Sequence, residues 1–210
     1  MRDVEIRGVG NVLGTKQHGH MINVGFDTYC QLLEEAVLEL KGEKVNNVKP
    51  AIVDINVTAY ISDDWVGSTE QKMIEYKRLA DVSNETELEY IISEWKDRFS
   101  KIPLEVENLI KLIKLRLLAT DCAISVIRDT GGLIRIYTPF MQPEWNILKS
   151  SIKNDILRRV KFTIAPKACI DGNSILLINS EYLNFDEIFN ILSSLFYDIK
   201  KGVNEYLTNN

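Results

Sequence analysis

Two pairs of strand-like segments, each divided by a short turn, constrain the fold of this 210-residue chain more than any other feature. Residues 123–128 and 133–137 flank the sequence Asp-Thr-Gly-Gly, which is typical of a hairpin turn. Residues 160–165 and 174–178 flank a second turn near Asp171 and Gly172. Because hairpins join antiparallel strands, these pairs exclude a purely parallel sheet.

Three helices are predicted before the first strand pair, over residues 69–81, 85–99 and 104–119. The first two begin at capping pairs, and the third begins at Pro103 and is apolar on most sides, which places it at the centre of the core. The capping pairs are Ser68 with Gln71 and Asn84 with Glu87. The side chains expected to pack inward are Met73, Ile74, Tyr76, Leu79 and Ala80 in the first helix and Leu88, Ile91, Ile92, Trp95 and Phe99 in the second.

The remaining elements complete an α+β fold. Alternating residues 51–59 predict a half-buried strand that runs into a turn at residues 62–64. A helix is expected from Pro143 to about residue 153, and a last helix after a cap formed by Asn184 and Glu187, with a loose tail from Gly202. The predicted order β-ααα-ββ-α-ββ-α gives a mixed α/β layered domain of the α+β class.

A polar segment with the sequence EKVNNVKP, residues 43–50, predicts a linker between two parts of the chain. Before it, apolar residues at helical spacing over residues 26–40 predict a connecting helix, which follows a glycine-rich loop. We therefore expect an N-terminal part over residues 1–49 and an α+β domain over residues 50–210.

The glycine-rich loop, residues 2–26, holds five of the eleven glycines and is the strongest functional signal. The sequence RDVEIRGVGNVLGTKQHGH, followed by VGFDTYCQLLEEAV, closely resembles the bacterial transcription-repair coupling factors. Its first half resembles the translocation motif that this family shares with the RecG-type helicases. The resemblance continues more weakly to about residue 123.

By this resemblance, Arg7 and Gln17 match the arginine and the glutamine that couple the nucleotide state of the motor to DNA tracking. Gly8, Gly10 and Gly14 complete the predicted motor-coupling site. The alternative is that Arg7 pairs with a nearby carboxylate, Asp3 or Glu5, and only pins the loop. His18 stands where the family usually has serine.

The resemblance implies that the chain is the C-terminal part of an ATP-dependent DNA translocase. Such a protein displaces stalled RNA polymerase from duplex DNA and recruits UvrA for nucleotide excision repair, in the cytoplasm. ATP and Mg²⁺ would belong to the parent motor, and this chain is expected to bind no cofactor and to be no enzyme itself. Residues 50–210 would dock on the motor domains and on the N-terminal UvrA-binding region, as an interaction and autoinhibitory module.

The residues themselves agree with a role in protein binding. No G-x-x-x-x-G-K-[ST] motif occurs, which excludes P-loop ATP hydrolysis by this chain alone. Lys and Arg number six against seven Asp and Glu before Pro50 and nineteen against twenty-three after it, so neither part has the basic excess of a nucleic-acid binder. Three dispersed cysteines predict reduced thiols, and no apolar run has the length of a membrane span.

Three further interpretations stay open at this stage. In the first, the parent protein is a RecG-type branch-migration helicase and not a coupling factor. In the second, the α+β domain is an independent small-ligand binder, which would require a pocket of convergent polar groups. A basic group forms either a nucleic-acid patch or a solvated face; its members are Lys149, Lys153, Arg158, Arg159, Lys161 and Lys167. Candidate docking anchors are Trp65, Phe140 and Tyr182.

Overall fold

A computed structural model describes residues 50–99 and 101–208 of the chain. Its strands are β1 (Ile52–Asp54), β2 (Val126–Asp129), β3 (Leu133–Thr138), β4 (Val160–Ile164) and β5 (Ser174–Asn179). Its helices are α1 (Asp63–Val66), α2 (Thr69–Asp81), α3 (Glu85–Arg98), α4 (Leu104–Asp121), α5 (Gln142–Leu148), α6 (Asn154–Leu157) and α7 (Phe185–Thr208). The predicted α+β class is confirmed. The glycine-rich loop, the connecting helix and the boundary at residue 49 lie outside the described residues.

The five described strands form one mixed sheet in the order β1-β2-β3-β5-β4. β1 runs parallel to β2, whereas β2, β3, β5 and β4 are antiparallel neighbours. Gly131 and Gly132 join β2 to β3 with φ of +73° and +88°, the left-handed region that two-residue hairpin turns require and that glycine adopts without strain. The predicted hairpin is therefore confirmed.

Two hydrophobic clusters share the long helix α4. The sheet core lies between one face of the sheet and α4, α5, α6 and α7. The helical core lies between α1, α2, α3 and the first half of α4. Because Leu109 of α4 belongs to the helical core and Leu118 to the sheet core, one helix connects both, as predicted for this central element.

Local capping chemistry fixes the helix boundaries. The side chains of Ser68 and Asn84 accept hydrogen bonds from the backbone amides of Gln71 and Glu87, so both predicted N-caps are confirmed. At the other end of α2, the buried Arg116 of α4 donates to the carbonyl oxygens of Leu79, Ala80 and Val82 at 3.2–3.4 Å. A cation at a helix C-terminus satisfies its free carbonyl groups and the negative end of its dipole.

One predicted strand, one turn and one helix differ in the structure. β1 ends at Asp54 because its partner β2 enters the hairpin turn one residue beyond the paired Arg128. The predicted turn at residues 62–64 is the start of α1, which Ser62 caps and whose Trp65 is buried in the helical core. Pro143 lies in α5, which ends at Leu148, and α6 follows as a separate short helix.

Two predicted helix features are also wrong. Met73 and Ile74 of α2 are 42% and 52% exposed, because the fully buried Glu75 occupies the inward face. Gly202 lies inside α7 rather than in a loose tail. A Cβ atom at Gly202 would lie 2.8 Å from Ser151 Oγ, so the glycine permits α7 to pass close to that residue and to continue to Thr208.

Candidate protein-interaction surface

The predicted motor-coupling residues, Arg7, Gly8, Gly10, Gly14 and Gln17, lie outside the described residues. Their role stays a prediction. Within residues 50–99 and 101–208, the features relevant to function are therefore surfaces of the α+β domain and the ionisable clusters that hold it together.

The two faces of the sheet differ in what covers them. One face packs on helices in the sheet core. The other, which we call the outer sheet face, carries a small cluster formed by Val126, Tyr137 and Ile175, with strand neighbours and with Ala165 and Cys169 from the segment after β4. Since the residues of this cluster come only from strands and that segment, no described helix contributes to it. Helices on a single face are the usual arrangement of a two-layer α+β domain.

Strand register places three cations in one row across the outer sheet face. Arg128 of β2 pairs with Arg135 of β3, Arg135 pairs with Leu177 of β5, and Leu177 pairs with Lys161 of β4. We call Arg128, Arg135 and Lys161 the basic row. Asp54 of β1, opposite Arg128, ends the row at the other sheet edge.

The members of the basic row differ in their partners. Arg128 lies 3.9 Å from Asp54 and 5.9 Å from the centre of the Tyr137 ring, a weak ion pair and a cation–π contact. The Nε atom of Arg135 is buried and has no hydrogen-bond partner among the described residues. Neither Arg135 nor Lys161 forms an ion pair with any carboxylate that the structure describes. Within the described residues, Arg135 and Lys161 therefore present positive charge that no carboxylate compensates.

The predicted basic group is not a single patch. Of its members, Lys161 lies on the outer sheet face. Lys149 and Lys153 lie at the ends of α5 and α6, which pack on α7 on the opposite side of the sheet. The fold thus separates residues that are close in sequence.

The predicted docking anchors have three different environments. Trp65 is buried in the helical core, where its ring meets Trp95 edge-on at 5.4 Å, so it is unavailable for docking. Phe140 is half-buried against the sheet core. Tyr182, in the connection between β5 and α7, is 89% exposed and is the one of the three that fits a surface role.

A buried carboxylate network joins α2 to α3. Glu75 is fully buried and accepts hydrogen bonds from Gln71 at 2.6 Å, Trp95 Nε1 at 2.8 Å and Arg78 at 2.9 Å. Arg98 lies at the limit of contact, 3.5 Å. Buried charges are stable in proteins when they are paired and hydrogen-bonded in this way.

Glu94 is the second carboxylate of this network. It binds Arg78 through both carboxylate oxygens and also accepts from Arg98. The hydrogen bonds from Arg78, and then those from Arg98, lower the pKa of Glu94 to about 2. With two arginines serving two glutamates, the cluster is satisfied internally, and its geometry is that of a structural clamp rather than of an acid–base site.

The remaining reactive groups give no catalytic constellation within the described ranges. Burial raises the pKa of the Cys122 thiol to about 12, so this thiol is inert as a nucleophile. No group of three or more His, Cys, Asp or Glu side chains with metal-binding geometry occurs among these residues. None of the helices here is long and apolar enough to cross a membrane.

The basic row was missed at the level of sequence, although a signal for it exists. A two-residue Gly131-Gly132 loop pairs Thr130 with Leu133, and this register places Arg128 opposite Arg135. The partner strand β5 returns from elsewhere in the chain, so the position of Lys161 follows only from the complete sheet.

Comparisons with known proteins agree with the fold. Residues 55–144 match the family model of the TRCF domain. A crystal structure of the C-terminal domain of transcription-repair coupling factor resembles the chain with a TM-score of 0.61 and 17% identity, over 74% of this chain and 95% of that one. At this identity the structural likeness supports the fold alone.

Sequence comparison finds similar proteins at higher identity. The transcription-repair-coupling factor of Staphylococcus haemolyticus is 38% identical over 138 residues, which cover 65% of this chain and 12% of the relative. Those of Staphylococcus epidermidis and Staphylococcus aureus strain USA300 are 38% identical over 138 and 139 residues, with the same coverage. The aligned part of the chain thus spans a small fraction of these relatives. The resemblance expected from the sequence is confirmed.

Proposed function

We propose that this chain, which carries a TRCF domain and is related to the transcription-repair coupling factors, acts as the C-terminal part of such a factor. The observation that supports this most directly is the match of residues 55–144 to the TRCF domain. In this proposal the parent is an ATP-dependent DNA translocase that displaces stalled RNA polymerase and recruits UvrA. The RecG-type parent is disfavoured, because the relatives that match the chain at 38% identity are coupling factors.

Within that parent, the α+β domain serves as a protein-docking and autoinhibitory module. It docks on the N-terminal UvrA-binding region and keeps that region covered until the motor engages. The described domain supports this role by its internally satisfied ionisable clusters and by its outer sheet face, whose cluster receives no residue from a described helix. An independent small-ligand binder would instead be expected to present convergent polar groups in a pocket.

Binding in trans tests the docking role. The 210-residue chain is titrated by calorimetry with the isolated N-terminal region of its own parent, and we expect saturable 1:1 binding. UvrA should compete with the chain for that region. Absence of binding, with the fold of both partners verified by circular dichroism, contradicts autoinhibition. Robust ATP hydrolysis by the chain alone contradicts a non-catalytic module.

Arg7 and Gln17, with Gly8, Gly10 and Gly14, act in the proposal as the element that couples ATP hydrolysis to movement on DNA. Arg7→Ala and Gln17→Ala, made in the full-length parent, should preserve ATP hydrolysis and abolish displacement of a DNA triplex by the translocating motor. Lys44→Ala, in the predicted linker, serves as a control of equal charge change outside the translocation motif. Normal triplex displacement by both variants contradicts the assignment.

A further inference from the structure

We propose that the basic row of the outer sheet face binds an acidic segment of a protein partner. The proposal rests on the proposed docking role, for which it names a surface and the chemistry of the occupant. It also has an independent physical basis in the arrangement of Arg128, Arg135 and Lys161.

The first argument is the direct opposition of two like charges. Arg128 and Arg135 are register partners on adjacent antiparallel strands, where opposed residues lie about 5 Å apart. Like charges at such positions destabilise a sheet. Asp54 on β1 lies 3.9 Å from Arg128, on the side of β2 away from β3. Arg135 therefore has no carboxylate partner among the described residues. An anion above the row would relieve this repulsion.

The second argument is the unsatisfied donor on Arg135. Its Nε atom is buried and has no partner in the described part of the chain. Buried polar atoms in proteins are almost always hydrogen-bonded, and an exception requires an explanation. A carboxylate that binds the guanidinium group from the outer sheet face would supply the counter-charge that Arg135 lacks among the described residues.

The third argument is the spacing of the cations. Adjacent strands lie about 4.8 Å apart, so three strand intervals separate Arg128 from Lys161 by about 14 Å. In an extended peptide, side chains on one face at positions i, i+2 and i+4 span about 13–14 Å. An acidic residue at every second position therefore matches the length of the row, with Leu177 in contact with the uncharged part of the segment.

The charge of the whole chain favours a protein over a nucleic acid. The chain has a net charge of −5, and this long-range field repels a nucleic-acid polyanion more strongly than a short segment with a few carboxylates. Three cations on an otherwise acidic molecule suit a short segment with a few carboxylates.

The test uses the 210-residue chain and synthetic peptides. An eight-residue peptide that alternates glutamate and serine is titrated into the chain while its amide chemical shifts are followed by NMR. The same titration is repeated with a peptide in which glutamine replaces each glutamate, and with a duplex DNA oligonucleotide. We expect shifts on β2, β3 and β4 for the glutamate peptide, which weaken with salt, and none for the glutamine peptide. Tighter binding of the duplex through the same amides overturns the choice of a protein segment.

Variants link the binding to the row. Arg135→Gln and Lys161→Gln should each weaken the glutamate peptide by about 2- to 5-fold, and both together more strongly, whereas Lys201→Gln on α7 serves as the matched control and should have no effect. Lys161 is exposed, so its variant keeps the test valid even if Arg135→Gln unfolds. Equal affinity for wild type and Lys161→Gln contradicts the proposal.

The same variants separate this inference from the proposed function. If the wild-type chain binds the N-terminal region of the parent and both variants bind it equally, the docking role stands and the basic row is not the docking surface. If the wild-type chain fails to bind that region, the docking role fails, and the peptide titration still decides whether the row binds carboxylates.

Discussion

Glu75 is the buried carboxylate that joins α2 to α3, and its replacement tests the reasoning about the helical core. Glu75→Met keeps the length of the side chain and removes every acceptor. The indole N–H of the fully buried Trp95, now 2.8 Å from a carboxylate oxygen, would lose its partner, which costs about 1–3 kcal/mol. Loss of the charged partner of Arg78 adds to this, although Arg78 retains Glu94. Removal of one partner of a buried pair typically costs 3–5 kcal/mol, and we expect about 3–4 kcal/mol.

Glu75→Gln separates the charge from the hydrogen bonds. Its amide oxygen can replace Oε2, which faces Trp95 and Arg78, while its NH₂ group faces Gln71, whose own amide can rotate to accept. Most hydrogen bonds then survive, and only the charge is lost. We expect a smaller decrease in the free energy of unfolding, about 1–2 kcal/mol.

Urea denaturation followed by circular dichroism measures both variants, because guanidinium salts would screen the charges under study. Glu70→Met, on the exposed side of the same helix, is the matched control and should change stability by less than about 0.5 kcal/mol. A double-mutant cycle that combines Glu75→Met with Trp95→Phe should show a coupling free energy between Glu75 and the indole N–H. The reasoning fails if Glu75→Met is within 1 kcal/mol of wild type, or if it equals Glu75→Gln.

Three further predictions follow from ionisation and packing. The pKa of Glu94 is lowered to about 2, so its contribution to the free energy of unfolding is complete above its ordinary pKa of 4.5 and is lost as pH falls towards 2. The difference in urea midpoint between wild type and Glu94→Gln should therefore shrink over that pH range. A constant difference contradicts this. In a Cys30→Ser background, Ellman's reagent should label the half-buried Cys169 quickly and Cys122 only on unfolding, since the pKa of Cys122 is raised to about 12; equal rates refute the assignment. Gly202→Ala should lower Tm despite the higher helix propensity of alanine, because its Cβ would meet Ser151 Oγ at 2.8 Å. Adding Ser151→Gly to Gly202→Ala should raise Tm again. A higher Tm for Gly202→Ala alone contradicts the steric argument.

Elements defined by local chemistry could be predicted from the sequence. Ser68 and Asn84 cap their helices through amides three residues away, and the Gly131-Gly132 turn selects its conformation by two glycines alone. Each of these features depends on a few neighbouring residues. The boundaries of the two capped helices agree with the prediction to within one residue.

Features that depend on distant residues could not be predicted. Glu75 looks like a solvated side chain in sequence, and only the approach of Trp95 and Arg78 makes its burial favourable. The length of β1 is set by where β2 turns, some seventy residues later. In sequence, Gly202 predicts the end of a helix. In the structure it lies inside α7, where Ser151 occupies the space that a Cβ atom would need.

The position of α4 explains why the described helices of the sheet core lie on one face of the sheet. Arg116, in its second half, binds three carbonyl oxygens at the end of α2, and its first half packs with α3 in the helical core. Its second half packs with α7 on a single face of the sheet. The helices of the sheet core thus lie on one face of the sheet, and none of them contributes to the cluster on the outer sheet face. In the proposed docking, Arg135 and Lys161 add charge recognition to the apolar contact of that cluster, because neither has a carboxylate partner among the described residues.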